Sequence, residues 1–408
     1  MTAASSNSGR SHSESRNSRI GQPNRHRVRP TTQFALPANR AASEPPEARG
    51  LSRDGVRLLA AVSGRIEHTR FTELGRFLNP GDLLVVNTSA TRAAAVDGEH
   101  ADHGPVVVHF STLLDDGSWV VEVRTAPTAD KPIRTLEPQD RIDLPGGIRL
   151  LLRAPEPADQ GPAGPRLWRT QSLDPGALSR MQARYGRPIR YGYLAGEWPI
   201  TAYQTVFAEP SGSGDGHPAS TGNAAGTGNP VGTGNAVGPG NAVGTASAEM
   251  PSAGRPFSTE LVTRLASRGV LFAPIALHAG VSSQESGEPP AAERFRVPAG
   301  TASLVGWTRQ TGGRVIAVGT TVTRALESAT GPDGAIHAAD GWTDLVLGPN
   351  RPARVIDGLI TGLHDPDASH LLLLEAVVGA DLVQAVYDAA LDQNYLWHEF
   401  GDTCLLIR

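Results

Sequence analysis

Short apolar runs rich in β-branched residues alternate along this chain with stretches whose apolar side chains recur every three or four positions. The runs at 82–87 (DLLVVN), 270–277, 315–319 (VIAVG) and 355–361 have the length and composition of buried strands. Helical spacing marks 178–185, 301–311, 369–378 and 381–391, the last two separated by Gly379. Ser258 caps a further helix with Glu260 in its first turn; Leu261, Val262 and Leu265 form its inner face and Gly269 ends it. Arg57-Leu58-Leu59 and 64–71 read as two strands of a hairpin or meander, and 74–78 as a short helix closed by Pro80-Gly81. The last strand is expected around Tyr395 and Phe400-Gly401-Asp402.

The pattern is clearest at 314–329, RVIAVGTTVTRALESA. A strand turns at Gly319-Thr320-Thr321 into a helix whose Val322, Leu326 and Ala329 share one face. Thr320 or Thr321 is expected to cap it. A strand, a tight turn and a helix N-terminus bring free backbone N–H groups and two hydroxyls to one point, a site for a carboxylate or phosphate. On pattern alone, an ordinary βα unit whose threonines only cap the helix is the alternative.

Residues 93–170 differ. Strand patterns at 106–110, 119–124, 141–144 and 148–152 lie between turns such as Asp115-Asp116-Gly117 and Pro145-Gly146-Gly147, the spacing of a small barrel or sandwich. Trp119 alternates with Val121 and reads as core. Residues 1–30, rich in Ser, Asn and Arg, are expected to form a disordered tail. From 209 to 250 a six-residue Gly-Asn repeat recurs at Gly222, Gly228, Gly234 and Gly240, and glycine at this density predicts a disordered insertion loop.

Composition narrows the function classes. Basic and acidic residues number 37 and 41, so any nucleic-acid face must be local. Lys131 is the only lysine and Cys404 the only cysteine. The latter excludes an intrachain disulfide and a cysteine-ligated cluster, and its TCLLI setting predicts a buried strand residue. No ligand cluster has metal spacing. No apolar run reaches the ~18 residues of a membrane span, and no hydrophobic signal core is present, so a soluble cytoplasmic protein is expected.

AVGTT followed by Arg324-Ala325-Leu326-Glu327-Ser328 resembles the signature of the S-adenosylmethionine:tRNA ribosyltransferase-isomerases, enzymes of queuosine synthesis. Further similarities run in order along the chain. Phe34-Ala35-Leu36-Pro37 is similar to the family's opening aromatic-x-Leu-Pro, and Gly81-Asp82-Leu83-Leu84-Val85 with Asn87 and Thr91-Arg92 to Gly-Asp-Leu-Leu-Val, Asn, Thr-Arg, at altered spacing. Tyr203-Gln204-Thr205-Val206 is close to a Tyr-Gln-Thr-Val strand, and Pro251–Ser258 (PSAGRPFS) stands where the family has Pro-Thr-Ala-Gly-Leu-His-Phe-Thr. Leu277-His278 and Gly280, then Glu293 and Phe295, also match. Near the end, Asp357, Leu359, Ile360, Thr361, His364, Pro366 and Ser369 match Asp-x-Leu-Ile-Thr-Asn-Phe-His-Leu-Pro and its following Lys-Ser-Thr. Gly362, Asp365 and Asp367 replace the amide, the leucine and the lysine. The final segment resembles Tyr-Arg-Phe-x-Ser-Tyr-Gly-Asp.

The resemblance implies an α/β main domain with a mixed sheet (31–92 and 171–408) and an inserted small β-barrel domain (93–170). It implies S-adenosylmethionine as ribosyl donor, tRNA bearing 7-aminomethyl-7-deazaguanine as acceptor, epoxyqueuosine as product, and neither metal nor membrane; a monomer is expected. Such a reaction needs a base for the proton beside the sulfonium and donors for the leaving adenine and the methionine carboxylate. His278 and His364 are the base or acid candidates, with Asp357 beside them. Gly319, Thr320, Thr321, Arg324, Glu327, Gly254 and Asp402 are expected at the S-adenosylmethionine site, and Asn87, Arg92, Tyr203, Gln204 and Thr361 at the acceptor. Asp357 and Glu327 have a second reading as ion-pair partners of Arg324. Arg255-Pro256, in place of Leu-His, and Asp367 leave two alternatives open: a non-catalytic adenosyl- or tRNA-binding relative, and ribosyl transfer to a different acceptor.

Overall fold

The computed structural model describes residues 29–158, 164–209, 246–282, 290–366 and 368–408. Nearly all of the expected tail, most of the Gly-Asn insertion and Asp367 lie outside the described residues.

The apolar runs become the centre of a mixed sheet. Strands β1 (Arg57–Val62), β2 (Arg65–Arg70) and β3 (Leu83–Asn87) come first, then, beyond the inserted domain, β10 (Leu271–Leu277), β11 (Glu293–Val297), β12 (Val315–Val318), β13 (Ala339–Thr343), β14 (Gly358–Gly362) and β15 (Thr403–Ile407). Their order is β13-β11-β10-β3-β12-β14-β15-β1-β2. β10, β3, β12 and β14 are mutually parallel, while β15 runs antiparallel to β14. Burial on both faces explains the unbroken apolar runs: Leu83 and Val85 belong to one core, Leu84 and Val86 to the other. On β12, Val315 and Ala317 likewise face opposite to Ile316 and Val318. Asp82 fixes the entry to β3 by taking the Arg314 guanidinium and backbone N–H.

Helices cover both faces. They are α2 (Thr259–Ser267), α3 (Ala299–Gln310), α4 (Thr320–Ser328), α5 (Ser369–Val378) and α6 (Ala380–Asp392). Ser258 accepts the Leu261 N–H at 3.1 Å, the cap expected for α2. Gly379, at φ +88°, turns the chain by 118° between α5 and α6, a conformation that suits glycine. No single helix among the described residues is long and apolar enough to cross a membrane.

Inserted in the sequence between β3 and β10 is a closed antiparallel barrel of β4 (Ala95–His100), β5 (Gly104–Leu113), β6 (Ser118–Thr125), β7 (Arg141–Leu144), β8 (Ile148–Pro155) and β9 (Leu167–Ser172). Val106, Val108, Val121, Val123 and the buried Trp119 fill its interior, and Leu178 and Met181 of α1 (Pro175–Tyr185) join the same core. Strand alternation sends Glu122 and Arg124 to the outer face. There Glu122 Oε1 accepts from Arg124 Nη1 at 2.8 Å and Arg166 Nη1 at 2.9 Å, and His109 Nδ1 lies 3.7 Å from its other oxygen. Asp115, in the β5–β6 turn, ties the barrel to the sheet edge through Arg294 (2.9 Å) and the Trp342 indole N–H (2.9 Å).

Several elements differ from expectation. β4 and β9 have mixed polarity (AVDGEH, LWRTQS), and their strand character comes from pairing in the barrel. Residues 74–78 contribute to a 3₁₀ turn, Phe71–Arg76, rather than a separate helix. Tyr203-Gln204-Thr205-Val206 is not a strand; Ile200–Tyr203 is a 3₁₀ turn. The last strand begins at Thr403, beyond Asp402, and Cys404 is buried in it. Across the 210–245 interval, the described flanks dock on one connection: Glu209 N–H donates to Thr88 O at 2.9 Å and Ser247 N–H to Ala90 O at 2.8 Å.

Candidate active site at the carboxyl edge of the sheet

Parallel strands place their C-terminal ends along one edge, where loops diverge and leave a crevice. Here the ends of β10, β12 and β14, with the outer face of the barrel at Arg124 and Asp130, line a cavity of about 540 Å³. Gly319, Thr320, Thr321, Arg324, Tyr203, Thr361 and His364 all reach it. Gly319 has φ +102° and accepts no side-chain cap, so neither threonine caps α4; both are its first helical residues. The first N–H groups of α4 have no intrahelical partner and carry the positive end of the helix dipole. Thr321 Oγ1 accepts from Asn87 Nδ2 at 3.3 Å, which fixes the turn from behind.

Arg324 does not pair with Asp357 or Glu327. Its Nη1 donates to Glu293 Oε2, and its other donors reach the Thr343, Leu345 and Ala291 carbonyls. Glu293 Oε1 accepts the Gly280 N–H at 3.2 Å, so β11, the end of β10 and α4 are joined on the cavity wall. His364 lies with Nε2 3.0 Å from Thr361 Oγ1 and stacks on His370, ring centroids 4.5 Å apart and 6° from parallel. Burial, then His370 and His398, hold its pKa well below the ordinary value, so the ring is neutral. His370 is lowered to about 4 by burial and then by Arg324.

The segment after the barrel supplies an aromatic wall. Tyr191 and Tyr193 stack 6.0 Å apart, and Tyr193 stacks on His398 at 4.1 Å. Tyr191 donates to Glu249 and Tyr193 to Glu399. Of these residues, Tyr191 closes a run of interleaved arginines and tyrosines, 184–191 (RYGRPIRY). Tyr193, Glu249, His370, His398 and Glu399 carried no motif to find them by.

Other candidates do not line the cavity. Asp357 stands at the opposite end of β14, where Oδ2 accepts the Val315 N–H at 2.8 Å. Glu327 Oε1 accepts the Arg354 and Val355 N–H groups at 2.8 and 2.9 Å. Asp402 takes Arg57 Nη2 at 2.8 Å and the Leu396 N–H at 2.9 Å. Gln204 clamps both backbone groups of Thr91, and Gly254 packs against Thr205 and Phe207. Arg92 lies over Trp119 at 4.6 Å and donates to Ser111 O at 2.6 Å, and burial lowers its pKa to about 9. His278 is bonded to Ser89 Oγ at 2.8 Å, just behind cavity residues Ala279 and Gly280. Burial, then Arg294 and Arg92, lower its pKa to about 4. Arg255 also points elsewhere, onto Glu47 (2.8 Å) and Phe400.

Asn87 is the joint behind the site. Its Oδ1 accepts the Ser89 and Leu277 N–H groups and its Nδ2 donates to Leu277 O at 2.9 Å. An Asn87→Ala variant leaves these buried groups without partners and should lose about 3 kcal/mol, read as a lower denaturant midpoint at unchanged slope.

A helix terminus suited to a carboxylate shares one cavity with neutral histidines and stacked tyrosines at the carboxyl edge of an α/β sheet. That combination defines an α/β enzyme. The chain belongs to the queuosine biosynthesis protein family, whose model matches residues 31–221 and 242–406. It is 30% identical over 386 residues to the S-adenosylmethionine:tRNA ribosyltransferase-isomerase of Heliobacterium modesticaldum, covering 92% of this chain and 98% of that one. To the protein of the same name from Gloeobacter violaceus it is 31% identical over 382 residues, covering 92% and 94%. It also matches the crystal structure of S-adenosylmethionine tRNA ribosyltransferase from Thermotoga maritima, with 25% identity, TM-score 0.46, and coverage of 92% and 99%.

Proposed function

We propose that this protein, acting in the cytoplasm, moves and isomerises the ribosyl part of S-adenosylmethionine onto 7-aminomethyl-7-deazaguanine in tRNA, releasing adenine and methionine and leaving epoxyqueuosine. The observation that carries the reading is the open N-terminus of α4 facing the same cavity as His364. In this reading the methionine carboxylate sits on the N–H groups at Thr320 and Thr321, with the two hydroxyls beside it. His364, oriented by Thr361 and by stacking on His370, is neutral at working pH and takes the ribosyl proton made acidic by the sulfonium. Tyr203 and the Tyr191–Tyr193 wall receive the flat acceptor base by stacking. His278 supports the β10 end through Ser89 rather than touching substrate.

The test is adenine release from S-adenosylmethionine with tRNA carrying the deazaguanine, against a tRNA-free control. Adenine that appears only with that tRNA is the expected result. Adenine without tRNA would point to hydrolysis or a different acceptor, and none in either tube, with S-adenosylmethionine bound, to a binding protein.

A further inference from the structure

Five acids line the cavity; Asp130 and Asp365 are exposed, and of the other three Glu399 alone keeps an oxygen without a donor from another described residue. Glu399 follows His398, whose φ of +73° lies in the left-handed region that a non-glycine residue occupies at a cost of ~1–3 kcal/mol. His398 is held there by stacking on Tyr193 at 13° and by Asp365, 3.7 Å from its Nε2. The turn sets His398 and Glu399 side by side on the cavity wall. Tyr193 O–H donates to Glu399 Oε2, and no described side chain donates to Oε1. Glu249 is different, with Oε1 accepting the Ser282 N–H at 2.8 Å and the Tyr191 hydroxyl, and Oε2 accepting the Ser282 hydroxyl. Glu293 is neutralised by Arg324. Glu399 stands where the closing motif of the resemblance has a serine, and Asp365 where the earlier His-Leu-Pro match has its leucine.

We propose that Glu399 receives a primary ammonium group on the acceptor, held against the Tyr193 and His398 rings. The assignment rests on the ribosyl-transfer reading above. A carboxylate with one oxygen free of side-chain donors, beside aromatic faces, is the environment an alkylammonium selects. Burial pushes the Glu399 pKa up to about 7, with Tyr193 and the Glu399 backbone N–H lowering it and Glu249 raising it. An ammonium seated at Oε1 favours the charged carboxylate that burial alone disfavours, and a carboxylate raised toward neutral pH can also take its proton. In that step one N–H bond breaks and one O–H bond forms at Oε1, leaving the nitrogen its lone pair.

The experiment compares the full-length protein with Glu399→Gln in equilibrium binding. Its probes are tRNA carrying 7-aminomethyl-7-deazaguanine and the same tRNA carrying the 7-cyano base, which lacks the ammonium. The two free bases form a second pair. The wild-type protein should prefer an aminomethyl ligand about tenfold or more, equivalent to about 1.4 kcal/mol. Glu399→Gln should lose that preference while binding the cyano ligand and S-adenosylmethionine as before, which also shows that it is folded. A preference in the tRNA pair assigns a tRNA-borne amine, and one confined to the free bases assigns a small amine; both support the inference. It is overturned if Glu399→Gln keeps the preference, if the wild type has none in either pair, or if the variant loses S-adenosylmethionine affinity by the same factor. Failure of the ribosyl-transfer reading is seen separately, as adenine release that does not depend on tRNA.

Discussion

A His364→Asn variant is expected to release adenine roughly 10²–10⁴-fold more slowly than the wild type, the range lost with a general base. S-adenosylmethionine affinity should stay within about threefold, because the carboxylate site on α4 is untouched. The pH dependence identifies the residue further. As the proposed base, His364 would work in its neutral form, which exists above its folded pKa and is lost as pH falls through it. Burial, His370 and His398 lower that pKa, while its backbone N–H is held by the Tyr387 hydroxyl at 3.0 Å. Its contribution therefore persists well below the ~6.5 of an ordinary histidine. Single-turnover adenine release by Glu399→Gln, which lacks the cavity carboxylate that titrates at about 7, should be unchanged by lowering the pH from about 7.5 to about 6.5 with tRNA saturating. A half-loss at about 6.5 would mean that an unperturbed histidine is the base.

The largest stability change is expected from Glu122→Gln. This carboxylate lies fully buried between Arg124 and Arg166, and removing its charge from a buried pair costs about 3–5 kcal/mol. Burial alone would raise the Glu122 pKa; His109, Arg166 and Arg124 outweigh it and hold the group at about 2. The folded pKa is thus below that of the unfolded chain. The stabilisation is fully present above the unfolded value of ~4.3 and fades as pH falls through about 2. Urea midpoints taken between about pH 5 and 3 should fall steeply for the wild type and less for Glu122→Gln. Parallel slopes would show that the carboxylate is not linked to folding.

What the sequence revealed of this protein follows from how each signal is encoded. β3, β12 and α4 were legible because burial on both faces writes an unbroken apolar run, and Gly319-Thr320-Thr321 marks the turn locally. β4 and β11 were not, because AVDGEH and ERFRV become strands only through partners far along the chain. The same division runs through the site. Thr361, His364 and Tyr203 were found by motif and do reach the cavity. Asp357, Glu327, Asp402 and Gln204 sit in equally recognisable motifs, yet each binds main-chain groups elsewhere in the fold. A motif records that a side chain is needed and does not distinguish a carboxylate that holds a strand end from one that holds a ligand. Glu399 escaped notice for the converse reason: it departs from the motif, and its place on the cavity wall depends on the left-handed turn at His398.

Thr88 and Ala90, which receive the two flanks of the 210–245 interval, are only two residues apart on one connection. The interval begins and ends almost at the same place, so its length is nearly independent of the fold it interrupts; each doubling costs about 0.6 kcal/mol in closure entropy. For protein engineering this is an insertion point with an address. A fluorescent amino acid or small reporter domain spliced there enters beside Ala248, Glu249 and Met250 of the cavity wall. Occupancy of the cavity could then be read optically without altering a single core residue.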